Sequence, residues 1–174
     1  MHRYCLILSV MVMVLLGATG CAKNPSEEGL VFLKQGQYEE AIGKFQEAID
    51  AGINPADAYR GMGMAKWEMQ DVEGARDAFE NALKNNAVQT ATIYNFLGVC
   101  EQQLGNYRKA LNYFRIGMEE ECSEELMQEM RYNEIVCFEA LEEWASAETK
   151  LQQYIADYTD DKRAVKEAEF FETR

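Results

Sequence analysis

The sequence predicts an all-α protein, a solenoid of about four helical hairpins closed by a C-terminal capping helix, and three observations lead there. First, small residues recur as a ladder: Gly29, Gly63 and Gly98 stand 34 and 35 residues apart, and each is followed twelve positions on by an alanine, Ala41, Ala75 or Ala110. Second, the ladder continues in step, with Phe45, Phe79 and Phe114 four residues after those alanines and Ala48, Ala82 and Gly117 seven after them. Third, the two prolines, Pro25 and Pro55, each follow an asparagine at the head of an apolar-periodic stretch, where proline starts a helix rather than breaking one. No segment alternates in the manner of a strand. Small residues are expected where the two helices of a hairpin approach closely, with the phenylalanines filling the space between hairpins.

The repeat unit is clearest from Tyr94 to Gly117. Tyr94, Leu97, Glu101 and Leu104 share one helical face, Gly105-Asn106 supplies a turn, and Tyr107, Ala110, Leu111 and Phe114 form the facing stripe. The spacing Tyr94-x2-Leu97-Gly98, then Ala110-x3-Phe114, resembles the tetratricopeptide repeat (TPR), with Tyr94 in place of the first-helix tryptophan and Glu101 in place of a tyrosine.

In chain order, residues 1–20 read as a lipoprotein signal peptide. His2-Arg3 gives a cationic start, Cys5 to Leu16 an apolar run shorter than a bilayer span, and residues 17–20 a small-residue exit. Ala18-Thr19-Gly20-Cys21 is similar to the bacterial lipobox, which implies lipid on Cys21, removal of what precedes it, and export to the outer leaflet of the cytoplasmic membrane or to an outer membrane. Residues 21–24 form a linker so short, on the order of 10 Å, that the first hairpin is expected close to the membrane. The solenoid occupies residues 25–158. Hairpin one runs from Pro25 to Ala51, with Asn24 as helix cap; hairpin two from Pro55 to Asn86, with Asn54 expected to cap in the same way; hairpin three from Gln89 to Glu120. A degraded fourth copy extends from Ser123 to Tyr158, with Ile135 in the glycine position and Leu151 in the phenylalanine position, so that its helices are expected to splay. Residues 159–174 hold the capping helix, apolar on one side through Val165, Ala168 and Phe171.

Composition narrows the function. The 174 residues are 48% hydrophobic and 27% charged, ordinary for one globular domain. From Cys21 onward the chain holds 16 basic against 30 acidic residues, a net charge of −14. Nucleic acid is therefore disfavoured as a partner, because phosphate binding needs cations. The only histidine is His2, so the mature chain is expected to lack the imidazole of a catalytic triad or zinc site, and neither an enzyme, a cofactor nor a metal is expected. The acidic run from Glu119 to Glu125 lacks the glycine and spacing of a calcium loop. Cys100, Cys122 and Cys137 cannot all pair; the first and last are expected as small buried residues and Cys122 as an exposed thiol.

The family resemblance implies a groove for a peptide or protein segment, lined by the first helix of each hairpin. By register its residues are Ser26, Leu30 and Leu33; Arg60, Met64 and Trp67; Asn95, Val99 and Gln102; and Tyr132, Val136 and Glu139. Met64 and Val99 would be aliphatic floor or inter-repeat core, Trp67 an anchor or a cover for its hairpin turn, and Tyr132 a groove residue or a partner of Phe96. Arg60, Asn95 and Gln102 would bond a peptide backbone or carboxylate, although Arg60 could instead pair with Asp57 or Glu68. The Lys-Asn clamp of chaperone-binding relatives is absent, Ser26 and Leu30 standing there. The expected function is that of an envelope adaptor; the alternative is a structural part of an assembly, secretion or pilus machine, or a self-associating oligomer.

Overall fold

The computed structural model describes residues 24–172. The expected signal segment, the expected lipid site at Cys21 and the linker residues up to 23 lie outside them. Among the described residues there are nine α-helices and no strand: α1 (Pro25–Lys34), α2 (Tyr38–Asp50), α3 (Pro55–Glu68), α4 (Val72–Lys84), α5 (Ala91–Gln103), α6 (Tyr107–Glu119), α7 (Glu124–Ala140), α8 (Trp144–Asp157) and α9 (Lys162–Glu172). Successive pairs form the four hairpins, each packed on the next, and α9 closes the stack against α8. None of these helices is long and apolar enough to cross a membrane.

Each hairpin turns through one residue in the left-handed region directly after its first helix. Gly36 (φ 73°) and Gly105 (φ 77°) do so without steric cost, whereas Gln70 (φ 61°) and Glu142 (φ 58°) fill the same position in hairpins two and four. The two asparagine starts differ. The Asn24 side chain accepts the Ser26 N–H at 3.0 Å, but Asn54 is itself left-handed (φ 45°) and makes no capping bond. The reason is the preceding Gly52, also at positive φ, which ends α2 so tightly that Asn54 belongs to the turn.

The glycine ladder has a more local purpose than helix approach alone. A Cβ built on Gly29, Gly63 or Gly98 would come within 2.7, 2.9 and 2.4 Å of the rings of Phe45, Phe79 and Phe114 respectively. Each phenylalanine therefore sits against its own glycine and also packs toward the next hairpin, Phe79 on Phe96 and Phe114 with Met130 and Cys137. All three are at most 1% exposed. Phe45 reaches forward to Gly61 of the next hairpin, where a Cβ would lie 2.4 Å from Cζ. In hairpin four the exchange is reciprocal: Ile135 and Leu151 are both buried, the larger residue on the first helix matched by a smaller one on the second. Total volume is roughly kept, which core packing tolerates well.

Cys100 and Cys137 are free and fully buried, and burial pushes both thiols up to about 12. Cys122 is not fully exposed as expected; it is half-buried against the α5–α6–α7 cluster. Glu101 is buried too. It accepts the Asn106 Nδ2–H at 2.7 Å and lies 3.5 Å from Lys109, so that a carboxylate ties α5 to the turn and to the start of α6.

Candidate functional site

The first helices α1, α3, α5 and α7 stand in one layer, but not at equal spacing. The α1 backbone lies against α3 and that of α5 against α7, whereas α3 and α5 meet through side chains such as Trp67 and Phe96. The cause is the connection. Residues 51–54 join α2 to α3, while the longer stretch 85–90 joins α4 to α5, with Ala87 buried and Val88 exposed. The sequence carries a trace of this in the 35-residue step from Gly63 to Gly98.

A groove of about 550 Å³ opens across α1, α3 and α5 as a result. Its floor is aromatic, made by Phe45 and Phe79 from the second helices and by Ile93 and Phe96 from α5. On its walls stand Leu30 and Met64, 44% and 39% exposed, two large apolar side chains facing solvent across a shared depression. The rim is polar, with Glu27 on α1, Asp57 and Arg60 on α3, and Thr90 and Thr92 at the head of α5. Arg60 is the one cation among these lining residues, and it already pairs with Asp57 at 2.9 Å. Apolar floor with polar rim is the chemistry of a pocket that buries a side chain and orients the chain carrying it.

Of the twelve residues placed in the groove by register, Ser26, Leu30, Arg60 and Met64 line it. Trp67 stands one turn further along α3, half-buried, with its ring edge-on to Phe96 at 5.7 Å, and it borders a separate depression at the hairpin turn. Asn95 is 8% exposed and donates through Nδ2 to Glu129 on α7 at 3.2 Å, which leaves its Oδ1 unbonded. Val99 is half-buried against the α6–α7 cluster, and Gln102 is half-exposed beyond it. Tyr132 does not pack on Phe96. It lies beside Tyr154, ring centroids 5.7 Å apart, beneath the Arg163 guanidinium of α9 at 4.3 Å. The face of hairpin four is thus covered by the chain's own last helix. Leu33, expected in the groove, packs into the cluster of hairpins one and two.

Residues missed from sequence include Glu27, Thr92, Phe96 and Gly61. Thr92 repeats the register of Asp57, six residues before its glycine, and so had a signal. Phe96 and Gly61 had none, since Phe96 becomes a groove residue only through its place beside Phe79 and Gly61 only through its contact with Phe45 of the preceding hairpin. Among the described residues no group of three His, Cys, Asp or Glu side chains could hold a metal ion.

Residues 54–115 and residues 26–62 match tetratricopeptide repeat families. In fold the chain is similar to YrrB, "a TPR protein with an unusual peptide-binding site", at a TM-score of 0.71 and 19% identity, covering 80% of this chain and 70% of that one. It is also similar to MamA, at a TM-score of 0.67 and 17% identity over 80% of this chain and 79% of that one. No curated protein matches it in sequence.

Proposed function

We propose that this chain, which carries tetratricopeptide repeats, is a non-enzymatic adaptor that captures a segment of another protein in the α1–α3–α5 groove while a lipid on Cys21 holds it to a bacterial envelope membrane. The observation that carries the capture reading is the pair Leu30 and Met64, both exposed above an aromatic floor inside one groove. Burying two such side chains beneath a ligand removes apolar surface from water, the main driving term of association. YrrB is named for a peptide-binding site, and a groove of the same repeat type is a suitable place for one here. The anchor reading rests on the apolar run from Cys5 to Leu16 and the small residues before Cys21. Two or more acyl chains would retain the protein stably, and retention at a surface raises the local concentration of whatever the groove holds.

The test is crosslinking in the native membrane followed by mass spectrometry, with Met64→Lys and Cys21→Ser variants beside the unaltered chain. A partner lost with Met64→Lys supports capture, and a shift to the soluble fraction with Cys21→Ser supports the anchor. A partner indifferent to Met64→Lys overturns the groove reading. The structural alternative has one observation in its favour: Val31, 53% exposed, stands with Phe32 over a second depression on the outer side of α1. Crosslinks of the chain to itself through that face would support it.

A further inference from the structure

Resting on the capture reading, we infer that the groove selects an extended segment in which a large aliphatic or aromatic side chain is flanked by lysine or arginine, and that it rejects acidic segments. The apolar half of the inference follows from the geometry. Leu30 and Met64 stand around a depression floored by Phe45, whose ring has its place there because Gly61 carries no Cβ to exclude it. A ligand side chain must fill it from outside, and only a large apolar one removes water from both walls.

The charge half follows from how the neighbouring ions are used. Arg60 is engaged by Asp57, so the single cation on the groove's lining is not free for an anion. Glu27, on the opposite wall, has no ion-pair partner among the described residues, and neither does Glu129, one helix beyond the groove, which accepts only from Asn95. One unneutralised carboxylate, Glu27, therefore stands on the rim of the depression, and a second, Glu129, lies one helix beyond it. They add to the field of a protein of net charge −14 beyond residue 20, which steers cations toward the site and repels anions. A polar contact supports the extended form. Ser26, 7% exposed on the α1 wall, has an Oγ without a hydrogen-bond partner among the described residues. A ligand backbone carbonyl laid along α1 would accept its proton, satisfying a buried donor that otherwise stays unmet.

The experiment pans a phage-displayed library of random dodecapeptides on the full chain and on its Met64→Lys, Glu27→Gln and Glu129→Gln variants, each first shown by circular dichroism to keep its helicity. Enriched peptides are expected to place Lys or Arg within two residues of Leu, Ile, Met or Phe. Synthetic copies should bind about two- to fivefold more weakly to each glutamine variant, with the loss diminished at high salt, and should not bind Met64→Lys. Peptides that depend on Met64 but carry neutral or acidic flanks would overturn the inference and leave capture standing. No enrichment, or enrichment that survives Met64→Lys, would overturn both.

Discussion

The two ends of the solenoid solve one packing problem in opposite ways. Hairpins one to three place a phenylalanine against a glycine, and hairpins one and two leave part of their first-helix face open, with Leu30 and Met64 in solvent. Hairpin four places Leu151 with Ile135 and has its face covered by α9, whose Arg163 lies over Tyr132. The contrast shows that the same repeat becomes a binding surface or a terminus according to whether a further helix follows. A repeat cannot bury its exposed face alone, and the last one needs a cap.

The sharpest way to break this comparison is to remove the filler from each kind of hairpin. Phe114→Ala should destabilise the chain by about 3–5 kcal/mol and Leu151→Ala by about 2–4 kcal/mol, both read from urea unfolding followed by circular dichroism. Equal or reversed losses would mean that hairpin four is as tightly built as the others. A smaller effect, confined to the cap, is expected from Asp161→Ala. Asp161 accepts from the Tyr154 hydroxyl and from Gln128 Nε2, and pairs with Arg163 at 2.7 Å, joining α7, α8 and α9 at one carboxylate. Its loss should weaken docking of α9 by about 2–3 kcal/mol, seen as faster amide exchange in α7–α9 with hairpins one to three unchanged.

Docking of α9 should also depend on pH, with two carboxylates acting in opposite directions. Burial, then the charge of Glu167 on α9, raises the Glu139 carboxyl to about 7. The docked state therefore holds that proton more tightly than the undocked one, and the contribution, full below the ordinary glutamate range, is lost as pH rises through 7. The Arg163 guanidinium holds Asp161 below the usual carboxylate range, so its contribution is present above that range and is lost as pH falls. Docking should be firmest at about pH 4, weakening progressively as pH rises from there toward about 7 and again as it falls below the usual carboxylate range. Trp144, whose ring meets Phe171 of α9 at 6.3 Å, supplies a fluorescence readout in a Trp67→Phe background. Glu139→Gln should flatten the alkaline side of the profile and leave the acid side. The smallest effect on stability belongs to the open end: Arg60→Ala removes an exposed pair with Asp57 and should cost less than about 1 kcal/mol in the same urea assay.

Much of this was legible in the chain. The four hairpins, the turn at Gly105 and the terminal helix all follow from periodicity and from the Gly-Ala-Phe ladder, because these depend on residues near one another in sequence. Arg60 and Met64 were found by register, since their place relative to Gly63 is local to one helix. Trp67 and Tyr132 show where register stops. Both were placed in the groove by the same register as Met64, yet one is drawn onto Phe96 and the other lies under Arg163, by neighbours that no spacing reveals. Asn95 is similar, committed to Glu129 from the following hairpin.

The sequence by itself determined the repeat, its helices and the acidic balance that disfavours nucleic acid, because periodicity, glycine placement and net charge are properties of the chain. Only the tertiary structure decided that the groove opens between α3 and α5 and closes at α7. That outcome depends on how far successive hairpins are displaced by their connections and on which helix comes last to cover an exposed face.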